Sequence, residues 1–134
     1  MINGRCQCAA IQYQVSGAIT DYCHCHCSIC RRLHGAAFAS WGGVLRDEFS
    51  YVSGEEKLRS YPFSENSDSL YCESCGSRVL VDFKAEPHML YLAMGTIDED
   101  VDLPDGYHQF VGSKAPWFEI TDSLPQYDEW PDDS

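Results

Sequence analysis

No stretch of this sequence stays apolar for the roughly 20 residues needed to span a bilayer, so no membrane helix is expected. The first residues, Met1 to Cys6, lack the apolar core of a secretory signal peptide, and the expectation is a cytoplasmic protein. Basic residues are scarce: nine Lys and Arg stand against 21 Asp and Glu, for a net charge of −12. Proteins hold nucleic acid largely by neutralising phosphates with cations, so nucleic acid is not an expected partner. The chain shows neither a repeat with a period of about 20–50 residues nor a low-complexity segment, which excludes solenoids and arrays. Apolar residues still make up 44% of the chain, ordinary for a globular domain and too many for a disordered one. At 134 residues, one domain with a modest core is expected.

The charge is uneven. From Asp98 to the end, eleven acidic residues face one lysine, whereas residues 1 to 97 carry ten acidic and eight basic residues. The body is therefore nearly neutral, and the acid of the last quarter reads as solvated surface. A single domain over residues 1–125, followed by an acidic, irregular and mobile tail over 126–134, is the expected organisation.

Short runs with strand character fill most of the chain. Ala10 to Val15 alternates apolar and polar and stops at Ser16-Gly17. Ala37 to Trp41 and Val44-Leu45 flank Gly42-Gly43, which suggests a bulge or bend. Phe49–Val52, Leu58–Tyr61, Arg78–Phe83, His88–Met94 and Tyr107–Val111 follow, each bounded by turn residues. The pattern predicts a mostly β fold of packed antiparallel sheets. Ser28 to Gly35 breaks it and predicts one short helix, with Ser28 as N-cap and Gly35 as the left-handed stop.

Eight cysteines are dense for this length, and without a leader their spacing points to metal rather than disulfides. Cys72-Glu73-Ser74-Cys75-Gly76 is a C-x-x-C-G knuckle, whose turn brings two sulfurs within reach of one ion. Gly76 permits the positive φ that such a turn needs. A closed site takes four ligands, and Cys6-Gln7-Cys8 is the best source of the other two. In an extended segment, alternation places both sulfurs on one face. A zinc ion shared by Cys6, Cys8, Cys72 and Cys75 would cross-link the N-terminus to the middle of the chain.

The second cluster is Cys23-His24-Cys25-His26-Cys27-Ser28-Ile29-Cys30. Cys25, Cys27 and Cys30 offer three thiolates at the start of the expected helix. Two readings stand. Three ligands leave a fourth zinc position open, as in catalytic sites, where an external thiol could be held as thiolate and presented to an electrophile. The other is a second structural zinc closed by Cys23 or by one of His24, His26 and His34. In an extended segment His24 and His26 face away from the sulfurs and read as spacers or supporting donors. His34 lies one turn beyond Cys30, within reach. His88 beside Pro87 reads as surface, and His108 as a surface or core residue. Arg31 and Arg32 read as a solvated helix face, and Trp117 as core.

These residues resemble the glutathione-dependent formaldehyde-activating enzyme family, which is grouped with centromere protein V. The resemblance is carried by Gly4-Arg5-Cys6-Gln7-Cys8, by Cys25-His26-Cys27-Ser28-Ile29-Cys30-Arg31-Arg32 with Gly35, by Cys72-x-x-Cys75-Gly76, and by His108 with Ser113-Lys114-Ala115-Pro116-Trp117. It spans roughly Gly4 to Pro125. It implies a zinc-stapled fold similar to Yippee-type domains (the β-tent type), with a structural zinc on Cys6, Cys8, Cys72 and Cys75 and a catalytic zinc on Cys25, Cys27 and Cys30. It further implies a carbon–sulfur lyase that condenses glutathione with formaldehyde to S-hydroxymethylglutathione. The alternative is a non-enzymatic zinc-stabilised interaction module with both sites closed.

Overall fold

Alternating side chains bounded by turns do produce strands. The computed structural model describes residues 1–131, and the last three residues of the expected acidic tail lie outside them. The strands are β1 (Ile2–Arg5), β2 (Gln12–Val15), β3 (Asp21–Cys25), β4 (Ala39–Leu45), β5 (Phe49–Ser53), β6 (Leu58–Ser64), β7 (Ser67–Cys72), β8 (Arg78–Phe83), β9 (Met89–Ala93) and β10 (Tyr107–Gln109). The single α-helix, α1, spans Ser28–His34. Four single 3-10 turns complete the described elements.

Three strands form a small sheet in the order β1-β2-β5. Seven form a large one in the order β10-β3-β4-β9-β8-β7-β6. Every pairing is antiparallel except that of β10 with β3, which is parallel. Parallel neighbours cannot be joined by a tight hairpin, and residues 26–106, with α1 and β4 to β9 among them, separate β3 from β10.

Strand alternation gives the large sheet two different faces. Val44, Leu80, Leu90 and Leu92 point to one side and bury against Ile2, Tyr13 and Val15 of the small sheet. Trp41, Val81, Ala93, Cys23 and Cys25 form a second cluster, with Phe83, Tyr91 and Tyr107 packed on it. The helix lies beside this second cluster.

Gly42 and Gly43 do not form the expected bend, because β4 runs straight through them in the middle of the sheet. A Cβ on Gly42 would sit 2.8 Å from Met94 Sδ, and one on Gly43 would sit 3.0 Å from Asp21 Cβ. The glycines make room for neighbours on both faces. Pro62 falls inside β6, an edge strand, where its missing N–H costs no ladder bond.

The stretch from Gln126 is irregular but tethered. Tyr127 N donates to His108 O at 2.9 Å and Phe110 N donates to Glu129 O at 2.9 Å. Trp117, expected in the core, is 71% exposed, while Ala115 beside it is fully buried. Lys114 Nζ donates to the carbonyls of Ala115 and Phe118. That closed turn sends Phe118 inward and Trp117 out.

Candidate functional site

The first cysteine cluster is built by two turns that meet. Cys6 ends β1, and the chain then turns: Ala9 N donates to Cys6 O at 3.0 Å, with Ala9 in the left-handed region at φ 64. The expected extended Cys6–Cys8 segment is therefore corrected. A tight turn, rather than strand alternation, brings these two sulfurs to 3.7 Å. The second turn follows β7. Gly76 N donates to Cys72 O at 2.9 Å, with Gly76 at φ 79, as the C-x-x-C-G spacing predicts. Cys8 Sγ and Cys72 Sγ lie 3.9 Å apart across 64 positions of sequence.

The sulfurs of Cys6, Cys8, Cys72 and Cys75 all lie within 4.8 Å of one another. Zn–S bonds of about 2.3 Å in a tetrahedron put the sulfurs about 3.8 Å apart. The two sulfur separations above bracket that value, so the donor set fits a tetrahedral metal ion. Cys6 and Cys72 are fully buried and Cys8 is exposed. Supporting donors are present, since Ile11 N donates to Cys6 Sγ at 3.3 Å and Ser77 Oγ lies 3.2 Å from Cys75 Sγ.

The second cluster forms where β3 runs into α1. The sulfurs of Cys25, Cys27 and Cys30 lie within 4.8 Å of one another. Cys27, and not Ser28, is the N-cap: its Sγ accepts from Cys30 N at 3.3 Å. Ser28 is thereby displaced by a sulfur that caps the helix and joins the cluster. Gly35 closes the helix in the left-handed region, as expected. Sulfur contacts from Cys25 and Cys30, followed by the amides of Cys30 and Ile29, hold the Cys27 thiol down to about 2. Cys25 is pushed up to about 11 and Cys30 further, each chiefly by the sulfur contacts of the trio.

Cys23 stands outside this trio. It lies two residues before Cys25 on the same face of β3, and burial pushes its thiol up to about 12. His34 is not in the trio either. It packs edge-on against Trp41, with ring centroids 5.3 Å apart.

The trio opens into a cavity of about 610 Å³. Its walls are mainly aromatic, with Trp41, Phe83, Tyr91 and Tyr107 among them, together with Asp21 and Glu86. β10 ends at Phe110, which takes the left-handed conformation and sets its ring edge-on to Trp130 at the cavity wall.

The opposite face of β3 carries imidazoles. His24, His26 and His108 gather there with Phe38. His24 and His26 do face away from the sulfurs, as alternation predicts. His108 lies in the core and is 2% exposed, and His88 is exposed. His26 Nε2 and His108 Nδ1 are 2.8 Å apart, and His108 Nε2 is 3.0 Å from the Asp122 carboxylate. The ionised carboxylate accepts from His108 Nε2–H, so His108 Nδ1 accepts from His26 Nε2–H. That order leaves a lone pair on His26 Nδ1, which is buried with no partner among the described residues. Burial holds His26 down to about 4, helped by His108 and His24 and then by Lys114 and Arg31. Sequence reasoning did not single out Asp122, because a carboxylate in an acidic stretch carries no mark until the fold brings it to a histidine. Arg32 is exposed as expected, but Arg31 is half-buried, with Nε unpartnered among the described residues.

Comparison with known proteins places the chain in a family. The family model described as glutathione-dependent formaldehyde-activating enzyme matches residues 1–113. A Halomonas elongata protein, provisionally named as a glutathione-dependent formaldehyde-activating enzyme, is 25% identical over 127 residues, covering 90% of this chain and 81% of that protein. A Rhodobacter sphaeroides protein of known crystal structure shares the fold, with a TM-score of 0.61 at 23% identity, covering 75% of this chain and 90% of its own. A match that takes in both cysteine clusters, their turns and His108 leads to one conclusion: the chain belongs to the glutathione-dependent formaldehyde-activating enzyme family.

Proposed function

We propose that the chain is a cytoplasmic carbon–sulfur lyase that binds two zinc ions and adds a thiol, glutathione, to a small electrophile such as formaldehyde. The observation that carries this reading is a trio of sulfurs, Cys25, Cys27 and Cys30, set in the wall of a closed-in aromatic cavity. Cys6, Cys8, Cys72 and Cys75 hold the structural ion, in a zinc-stapled frame of the Yippee-like, β-tent type. Cys25, Cys27 and Cys30 would hold the second zinc ion, which would lower the pKa of a thiol bound to it.

The chain's own residues do the rest. Cys27 caps α1 and so ties the trio to a fixed helix. Trp41 and Phe83 exclude water from the reacting atoms. Cys23, kept as a neutral thiol by burial, walls the site without closing it. The thiol gives up its proton, and its sulfur lone pair forms the C–S bond at the carbonyl carbon. The C=O π electrons move to oxygen, which takes a proton, so the product is the S-hydroxymethyl thioether of the thiol. The separation of Cys23 from the trio supports an open site over a closed interaction module.

The test follows ¹³C-formaldehyde and glutathione by exchange NMR with zinc-loaded protein. The expected result is adduct formation and breakdown faster than the spontaneous rate, lost in Cys27→Ala. An exchange rate equal to the uncatalysed one would overturn the reading.

A further inference from the structure

The cavity over the trio has an unusual charge. Among the described residues that line it there is no Lys, Arg or His, yet two carboxylates face it, Asp21 and Glu86. Three carboxylates elsewhere on the chain are paired with Lys or Arg: Asp82 with Arg46, Glu73 with Lys57 and Arg59, and Asp98 with Arg5. Asp21 and Glu86 have no such partner among the described residues. Tyrosine hydroxyls hold them instead. Tyr91 Oη donates to Glu86 Oε1 at 2.8 Å, and Tyr107 Oη donates to Asp21 Oδ1 at 3.0 Å and Oδ2 at 3.3 Å. A neutral donor orients a carboxylate without cancelling its charge, and a carboxylate offers about four lone-pair sites, so each keeps free accepting capacity. Arg46 donates from Nε to Pro87 O, next in sequence to Glu86, but its guanidinium pairs with Asp82, while Arg31 and Lys114 act on His26 on the far face of β3.

The metal site adds to this sign. Three thiolates around a divalent ion leave one net negative charge, and a bound substrate thiolate makes it two. An anionic substrate entering here meets only like charge in a half-enclosed, low-dielectric space. A cationic nitrogen meets two oriented carboxylates and the faces of aromatic rings, which attract cations through their quadrupoles. The cavity volume is within the usual range for small-ligand sites, about 300–1,000 Å³.

We propose that the thiol taken up at Cys25, Cys27 and Cys30 carries a cationic nitrogen that seats against Asp21, Glu86 and the rings of Trp41, Tyr91 and Tyr107. This rests on the reading of the trio as an open thiol site and sharpens it into a substrate class. In glutathione the group that meets the requirement is the free α-ammonium. Its α-carboxylate, on the same carbon as that nitrogen, turns toward solvent, and the glycine carboxylate lies at the far end of the molecule.

The test compares glutathione with N-acetylglutathione, in which an acetyl group removes that positive charge at a distance from the sulfur, and the carboxylate variants separate the loss of charge from the added bulk. Binding to the zinc-loaded chain is measured by titration calorimetry. Glutathione is expected to bind about tenfold more tightly or better. In Glu86→Gln and Asp21→Asn the ratio falls toward one, with zinc content unchanged. A second pair, 2-mercaptoethyl-trimethylammonium and 2-mercaptoethanol, carries the same contrast without a peptide. For this pair the quantity read is the ratio of wild type to variant for each thiol, which cancels the difference in thiol acidity. Equal binding of glutathione and N-acetylglutathione to the wild type would overturn the cationic class while thiol uptake stands. Binding of the trimethylammonium thiol but not of glutathione supports the class and removes glutathione as the substrate. If no thiol binds, the thiol-site reading fails and this inference fails with it.

Discussion

The two cysteine clusters are made of the same atom and are built differently. Cys6, Cys8, Cys72 and Cys75 come from two turns far apart in sequence, and their sulfurs converge on one point at tetrahedral spacing. Cys25, Cys27 and Cys30 come from a single stretch at the end of one strand and the start of one helix, and they look into a cavity. The first arrangement joins distant segments, so a metal there acts on the folding equilibrium. The second is nearly local, so a metal there adds little chain connectivity and is free to serve a ligand. In the proposed reading, ligand number and sequence separation, more than ligand type, distinguish a staple from a reactive centre.

This contrast can be broken at several points. The largest effect is expected from Cys72→Ser. Structural zinc in small domains is worth on the order of 10 kcal/mol, comparable to a whole domain's stability of about 5–15 kcal/mol. Scanning calorimetry should show loss of the cooperative transition, and chelation of wild-type protein should do the same. An unchanged melt would end the staple reading.

Cys27→Ala should give the reverse profile. Zinc content falls from two ions to one per chain, measured by elemental analysis. Thiol addition drops by more than about a hundredfold, beyond the usual cost of removing a supporting residue. The melting temperature shifts by only a few degrees, about 5 °C or less. If Cys27→Ala instead unfolds the protein as Cys72→Ser does, the two clusters are both staples.

His108→Ala tests whether the second cluster also depends on distant support. It leaves His26 Nε2 unpaired at a fully buried position, at a cost of about 1–3 kcal/mol. Urea unfolding measures this, and His108→Gln, which can still accept a hydrogen bond, should recover part of it. No loss in either variant would mean that the imidazole chain is idle.

The smallest effect concerns Asp122. Its hydrogen bond with His108 holds the carboxyl below its ordinary value of 3.8. A lowered folded pKa contributes stability that is full above the unfolded value and is lost as the pH falls through the folded one. The acid limb of the stability–pH curve should therefore be slightly shallower in Asp122→Asn, and indistinguishable curves would show that the contact is solvent-screened.

Much of the frame could be read in advance, and the misses have physical causes. β8 and β9 carry long apolar runs because both faces of the large sheet are covered, and such runs are visible in sequence. β7 was not expected. Its buried positions hold Ser67 and Ser69, so no apolar alternation marks it. β3 is not among the expected strands, yet the alternation of Cys with His read there is what sorts sulfurs to one face and imidazoles to the other. The sulfurs of Cys6 and Cys8 were expected together for the wrong local reason, since the turn at Ala9 replaces the extended segment.

The spacing of the cysteines determined the local groups, because a C-x-x-C turn and a C-x-C-x-x-C run bring sulfurs close through local geometry whatever surrounds them. Composition and residue pattern determined the sign of the net charge and the β character of the chain. Only the tertiary structure decided that the knuckles at Cys6 and Cys72 meet, that Cys23 stands apart from the trio, and that Asp122 reaches His108. It also placed Asp21 and Glu86 on the cavity wall with no cation beside them. These relations, from 14 positions apart for His108 and Asp122 to 64 for Cys8 and Cys72, are set by how the chain packs and by which face of a strand each side chain takes. No local pattern in the sequence encodes that choice.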